Sequence, residues 1–208
     1  MFVLFEVEYL EYGMLHFLFS IVIFWGLSVP AIADDFDKGV TAYSNGDYIS
    51  AIQFWTPLAE RGNNLAQYNL GVVYEHGEGV PKDAKIAVKW YTLAAEQGDA
   101  TAQFSLGLIY RNGQGIPQNY ETAVKWYTFA AEQGYTKAQY NLGLMYYNGE
   151  GVLLDFVYAH MWADISASKG SGLAMKLLKL LTEKMNSTQI AEAHVLAKKC
   201  IDKNYNDC

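Results

Sequence analysis

The chain has 208 residues, with 22 acidic against 15 basic groups, a net charge of −7, 51% hydrophobic and 15% aromatic residues, and four prolines. This composition excludes a disordered tail or a collagen. A net-negative chain with no run of Lys or Arg also lacks the basic face that neutralises nucleic-acid phosphates.

Residues 1–33 contain no Lys or Arg. Phe17 to Val29 form a run of 13 residues that is apolar apart from small residues, followed by Ala31-Ile32-Ala33 and Asp34-Asp35. Such a run is too short for a bilayer, which needs roughly 20 helical residues, and suits the central region of a secretory leader. Cleavage is expected after Ala33, and the mature protein is expected to be periplasmic or secreted. Glu6, Glu8 and Glu11 stand where a leader is positively charged, so Met14 is expected as the true start. An uncleaved membrane anchor through residues 14–33 is the alternative. Cleavage leaves residues 34–208, with 15 basic and 19 acidic groups and a charge of −4.

From residue 64 onward the sequence repeats with a period of 36. Residues 64–99 match 100–135 at 19 of 36 positions, and the latter match 136–171 at 13 of 36. Ala66, Leu70 and Tyr74 recur at i, i+4 and i+8, which places them on one face of a first helix. Gly77-x-Gly79-Val80-Pro81 breaks that helix, because Gly admits positive φ and Pro disfavours α geometry before it. Asp83, Asn119 and Asp155 carry side chains that cap a second helix. That helix holds Ala87, Trp90, Ala94 and Ala95 and ends at Gly98, as its successors end at Gly134 and Gly170. The Leu-Gly pairs 70–71, 106–107 and 142–143 predict close approach of neighbouring helices.

One hairpin cannot bury its own apolar face, so the expected fold is all-α, a right-handed superhelical solenoid of stacked antiparallel helix pairs. The expected units are 34–63, a shorter N-terminal pair with its turn reduced to Asn45-Gly46; repeats at 64–99, 100–135 and 136–171; and a C-terminal cap, 172–208. In that cap Leu173 to Met185 reads as a helix, with Lys176, Lys179, Glu183 and Lys184 facing water. Asn186-Ser187 would cap a last helix from about Thr188 to Lys203. Cys200 and Cys208 lie eight positions apart at the end of an exported chain and are expected to form a disulfide.

The segment AQYNLGVVYEHGEGVPKDAKIAVKWYTLAAEQG and its two successors resemble the SEL-one-like repeat, a relative of the tetratricopeptide repeat. Residues FDKGVTAYSNGDYISAIQFWTPLAERG resemble the tetratricopeptide-type unit that often precedes it. The resemblance implies adaptor and scaffold roles. It also supplies the enzymatic alternative, since some cysteine-rich secreted relatives are associated with penicillin binding and β-lactam hydrolysis. Those relatives carry a cysteine pair in every repeat, and this chain has cysteines only at its end.

Chemistry-bearing motifs are few, and no cofactor, catalytic group or metal ligand set is expected. His76 stands where the other repeats have Asn112 and Asn148 and reads as a polar residue entering a turn. His160 replaces Val88 and Val124, an irregular position, and His194 has no evident partner. No His-x-x-x-His or Cys-His pair offers ligand spacing. The Gly-x-Gly pairs are repeat turns rather than phosphate loops. Ser166 and Lys169 have SxxK spacing, but they fall where other repeats have Ala and Gln, so they read as repeat drift.

If the function is binding, the first helices should border the concave side, by analogy with tetratricopeptide arrays. Opposite the buried stripe, at about 100° per residue, fall Leu65, Asn69 and Val72; Thr101, Ser105 and Leu108; and Lys137, Asn141 and Leu144. This mixture of amide, hydroxyl and apolar groups suits an extended peptide, although Val72, Leu108 and Leu144 also read as core. Trp90, Trp126 and Trp162 read as packing residues. The expected protein is thus an exported, non-catalytic, monomeric scaffold for a protein or peptide of the bacterial envelope, with no nucleic-acid partner and no membrane contact beyond a retained leader. A binder or enzyme acting on peptidoglycan or β-lactams is the alternative.

Overall fold

The computed structural model describes residues 29–206 and residue 208. The apolar run, the start at Met14 and most of the anchor alternative therefore lie outside the described residues. Among the described residues ten helices follow one another: α1 (Val29–Ser44), α2 (Tyr48–Glu60), α3 (Asn64–His76), α4 (Ala84–Glu96), α5 (Ala100–Asn112), α6 (Tyr120–Glu132), α7 (Thr136–Asn148), α8 (Phe156–Ser168), α9 (Gly172–Thr182) and α10 (Ser187–Asp202). No strand occurs among the described residues. The expected point of cleavage after Ala33 falls inside α1.

Each helix boundary has a local cause. Asp83, Asn119 and Asp155 accept hydrogen bonds from backbone amides of the turns they open, and Asn186 forms a reciprocal capping box with Gln189. The first helices of the repeats end on Gly77, Gly113 and Gly149, all at positive φ between 66° and 79°. There the glycine amide returns to the carbonyl four residues back and satisfies an orphan acceptor.

Consecutive helices pack in pairs, and the pairs stack. Ala66, Leu70 and Val73 of α3 are buried against Ala51, Trp55, Leu58 and Ala59 of α2. The same arrangement returns one repeat later with Ala102, Leu106 and Ile109 against Tyr91, Ala94 and Ala95. Burial of each such leucine or isoleucine contributes roughly 1.5–3 kcal/mol, so the stack is held mainly by apolar area shared between neighbours.

Close approach within a pair follows from the glycines. Gly71 lies flat against the Tyr91 ring, and a Cβ on it would stand 2.5 Å from two ring carbons. Gly107 meets Tyr127 in the same way. In the third repeat the tyrosine is replaced by Ala163, and the nearest atom to a Cβ on Gly143 is the Ala159 carbonyl oxygen, at 3.0 Å.

A buried amide ladder links successive pairs. Gln67, Gln103 and Gln139 are buried and donate to the carbonyls of Ala59, Ala95 and Ala131 on the preceding helix at 2.9, 3.0 and 3.1 Å. Gln97 and Gln133 then donate to the Oε1 atoms of Gln67 and Gln103 at 2.7 and 2.8 Å. Lys169 takes the corresponding place in the third repeat and donates instead to the Gly134 carbonyl, which leaves Gln139 Oε1 without a hydrogen-bond partner.

The C-terminal cap is asymmetric. Both α9 and α10 pack on α8, whose faces are therefore covered almost all round. Sequence drift in the third repeat reflects this cover. Lys89 and Lys125 are exposed on α4 and α6, whereas their counterpart Met161 is buried, and half-exposed Leu93 and Phe129 give way to buried Ile165. Ala197 and Cys200 of α10 complete that cluster. Lys176, Lys179, Glu183 and Lys184 are exposed.

Cys200 and Cys208 form a disulfide. The loop between them carries Asn204 and Tyr205 at positive φ, a conformation uncommon for non-glycine residues. The Tyr205 ring lies 4.0 Å beneath the Lys169 ammonium, and Tyr205 and Cys208 pack on the third-repeat core.

Candidate peptide-binding face

Two clefts lie between successive first helices. One, of about 290 Å³, is walled by Val40 and Tyr43 of α1, Trp55 of α2, and Tyr68, Asn69 and Val72 of α3. Its wall is braced by Tyr43, whose hydroxyl donates to Glu78 at 2.7 Å. Burial and that carboxylate push the Tyr43 hydroxyl up to about 12. Tyr91, buried and bonded to Glu75, is pushed up as well.

The second cleft, of about 650 Å³, lies between Phe104 of α5, the exposed side of α7 and the start of α9. Thr136, Lys137, Tyr140 and Asn141 form one wall; Lys169, Ser171 and Leu173 form the other. Two ammonium groups and no carboxylate line it, which gives it a local positive character that the net charge of the chain hides.

The nine residues expected to form a groove fall into distinct environments. Asn69 and Val72 share the first cleft, and Lys137 and Asn141 share the second. Asn69 is half-buried, and Asn141 is engaged on both sides: it donates to the Lys137 carbonyl at 2.8 Å and accepts from Arg111 at 3.3 Å. Arg111 also holds Glu150 at 3.0 Å with both side chains about four-fifths buried, so Asn141 belongs to an ion-pair network between repeats. Val72, Leu108 and Leu144 pack against the core clusters and are half-buried, and Ser105 stands beside the Tyr68 and Tyr91 hydroxyls. Leu65 is 49% exposed, Thr101 half-buried. The expected face thus flanks the buried stripe rather than opposing it, because positions 65 and 69 stand only one residue from Ala66 and Leu70 on a helix of 3.6 residues per turn.

Sequence reasoning missed the aromatic floor of the clefts. Tyr68, Phe104 and Tyr140 recur at one repeat position and line the two clefts. The 36-residue spacing carries this signal, since all three positions are aromatic. Trp162 is buried as expected of a packing residue, while Trp90 and Trp126 are half-buried against the clusters of the neighbouring repeat.

The histidines divide. His76 is exposed and turned back on the Val72 carbonyl at 2.9 Å. His194 does have a partner: its Nδ1 lies 2.8 Å from Asp164 Oδ2, and its ring meets that of His160 edge to face at 5.0 Å. Residues 160, 164 and 194 come together because α10 folds over α8. His160 is 2% exposed, and burial together with His194 lowers its pKa. Ser166 Oγ donates to the Thr136 carbonyl and Lys169 to Gly134, so the SxxK spacing builds no nucleophile–base pair.

These elements define an all-α helical-repeat protein, and three matches to the Sel1 repeat, at residues 64–99, 100–135 and 136–171, place the chain in the Sel1 repeat family. Among solved structures it is similar to a Sel1 repeat protein from Oxalobacter formigenes, at 33% identity and a TM-score of 0.67, over 81% of this chain and 70% of that one. It is also similar to a protective antigen with an SLR fold from uropathogenic Escherichia coli, at 27% identity and a TM-score of 0.50, over 84% and 47% of the two chains. The DAP3-binding cell death enhancer 1 of Rattus norvegicus is 43% identical over 58 residues, 28% of this chain, and that of Mus musculus 40% identical over 50 residues, 24% of this chain. The chain covers about a tenth of those two proteins. Sel1 helical repeats are protein-interaction scaffolds.

Proposed function

We propose that the protein is an exported, non-catalytic scaffold that holds an extended segment of a protein partner in the bacterial envelope along its first-helix face. The observation that carries this reading is the pair of open clefts floored by Tyr68 and by Phe104 and Tyr140. The first takes an apolar side chain. The second, with Lys137 and Lys169 and no acid, takes a carboxylate-bearing residue or chain end.

Three further points support it. A disulfide at the C-terminus is compatible with an oxidising compartment, and among the described residues no helix is long and apolar enough to cross a membrane. The uropathogenic relative is a protective antigen, and the rodent relatives are named for binding a protein.

The test is affinity capture of tagged, leader-bearing protein from an envelope fraction, in parallel with an Asn69→Ala/Lys137→Glu variant of unchanged helicity. Partners captured by the parent and lost in the variant support the reading. Equal capture by both removes the face, and hydrolysis of a chromogenic β-lactam by purified protein would replace the scaffold with the enzymatic reading.

A further inference from the structure

The third repeat departs from the first two at two positions that share a helix face. Val88 and Thr92, then Val124 and Thr128, are followed by His160 and Asp164. An i, i+4 pair lies one turn apart on one side of α8. The terminal helix then lays His194 against both, thirty residues from Asp164. One ligating atom from each of the three side chains can be chosen so that all lie within 4.8 Å of one another.

A helix packed on another by apolar contacts alone needs no such trio at the seam. Ala193, Ala197 and Cys200 already pack α10 on its neighbours. His160 is buried to 2% exposure, yet its Nδ1 has no hydrogen-bond partner, a state that costs the desolvation of a polar group. The Asp164–His194 hydrogen bond leaves that nitrogen unsatisfied. A metal ion drawn into the trio would resolve it, either by direct ligation or by turning the imidazole toward an acceptor.

We propose that His160, Asp164 and His194 form a binding site for a divalent transition metal ion of the zinc class, which pins the terminal helix to the third repeat. Two imidazoles and one carboxylate form a borderline donor set that suits Zn²⁺, Co²⁺, Ni²⁺ or Cu²⁺ rather than Ca²⁺ or Mg²⁺, which demand oxygen ligands. Zinc–nitrogen distances of about 2.0–2.1 Å put tetrahedral ligand atoms about 3.3 Å apart. The 2.8 Å Asp164–His194 hydrogen bond must open by about half an ångström, and the other separations, all within 4.8 Å, must shrink by at most about 1.5 Å. His194 and Asp164 have room for this, since their side chains are 55% and 32% exposed. Three protein ligands leave a fourth position for water on the open side.

Tag-free, disulfide-intact protein is titrated with Zn²⁺ by calorimetry, and its melting temperature is read with Zn²⁺ and with chelator. Co²⁺ serves as a spectroscopic probe, because a tetrahedral cobalt site gives intense visible absorption. The proposal expects one ion bound per chain, a melting point several degrees higher with Zn²⁺, and visible cobalt bands. In His194→Gln, at an exposed position, and Asp164→Asn, at a half-buried one, affinity falls at least tenfold and the cobalt bands are lost. His160→Val restores the residue of the other repeats and is expected to fold and to bind no metal. No heat, no melting shift and no cobalt bands in the parent overturn the site. Affinity unchanged in His194→Gln and Asp164→Asn overturns it equally, because the ion then sits elsewhere.

Discussion

The side-chain amide of Gln133 donates to Gln103 Oε1 across 2.8 Å, while Gln103 donates to the Ala95 carbonyl at 3.0 Å. A single buried glutamine thus joins three helices, α4, α5 and α6. Replacing it by an apolar residue of similar size removes both side-chain bonds, while the Ala95 carbonyl keeps the Gly98 amide at 3.0 Å. Gln103→Leu is expected to lower stability by about 1–3 kcal/mol in a urea titration. The same change at exposed Gln114, outside the ladder, is expected to fall within about 0.5 kcal/mol of the parent.

The second prediction concerns the glycine–tyrosine seam. Gly71→Ala drives a methyl into the Tyr91 ring, which is itself fixed by its bond to Glu75. Overpacking of this kind costs about 1–3 kcal/mol. The expected result is a lowered denaturation midpoint, and a smaller loss from Gly71→Ala in a Tyr91→Ala background, where the ring that the methyl meets is absent. No loss on Gly71→Ala would mean that α3 and α4 are free to move apart.

Much of this was legible in the sequence, and the reasons are local. The period of 36, the capping residues Asp83, Asn119, Asp155 and Asn186, and the close-approach glycines each state their role within a few residues of themselves, so the all-α repeat fold could be read directly. The cysteine pair was readable from its spacing. The histidine trio was not, because it depends on α10 lying across α8, a contact that no repeat template supplies. A signal did exist: Lys89 and Lys125 becoming Met161 shows that this face of the third repeat is covered. The buried glutamines were equally visible at 67, 103 and 139, but a polar residue beside an alanine does not announce burial. Of the nine groove residues, Asn69, Val72, Lys137 and Asn141 line the clefts. Their selection treated each first helix as isolated, whereas Val72, Leu108 and Leu144 are shared with the neighbouring repeat.

The disulfide tail gives a third prediction. Closing a nine-residue loop constrains the unfolded chain by about 2.5 kcal/mol on the chain-entropy account. Cys200→Ser is expected to lower the melting temperature without loss of helicity beyond the last turn of α10. Hydrogen exchange should quicken there first, since Tyr205 is released from Lys169. Equal melting of oxidised and reduced protein would remove the structural role.

Alkaline titration supplies the fourth. Tyr43 is pushed up to about 12, and Tyr91 and Tyr127 are raised by burial above the unfolded value of 10.0. Above pH 10 the unfolded chain loses phenolic protons that the folded chain keeps, so the unfolded state binds fewer protons and stability falls as pH rises. The contribution is fully present below pH 10 and, for Tyr43, is lost through about pH 12. Denaturant midpoints between pH 9 and pH 12 should fall less steeply in Tyr43→Phe than in the parent. Parallel slopes would show that the Tyr43–Glu78 bond does not persist in solution.

Whether the first-helix face holds the partner is decided by site-specific photocrosslinking in the envelope. A photoreactive residue at 69 or 137 samples the two clefts, and one at 125 samples the exposed side of a second helix. A partner seated on that face gives the same discrete adduct from positions 69 and 137 and none from 125. An adduct from 125 alone, or adducts of equal yield from all three, would contradict it.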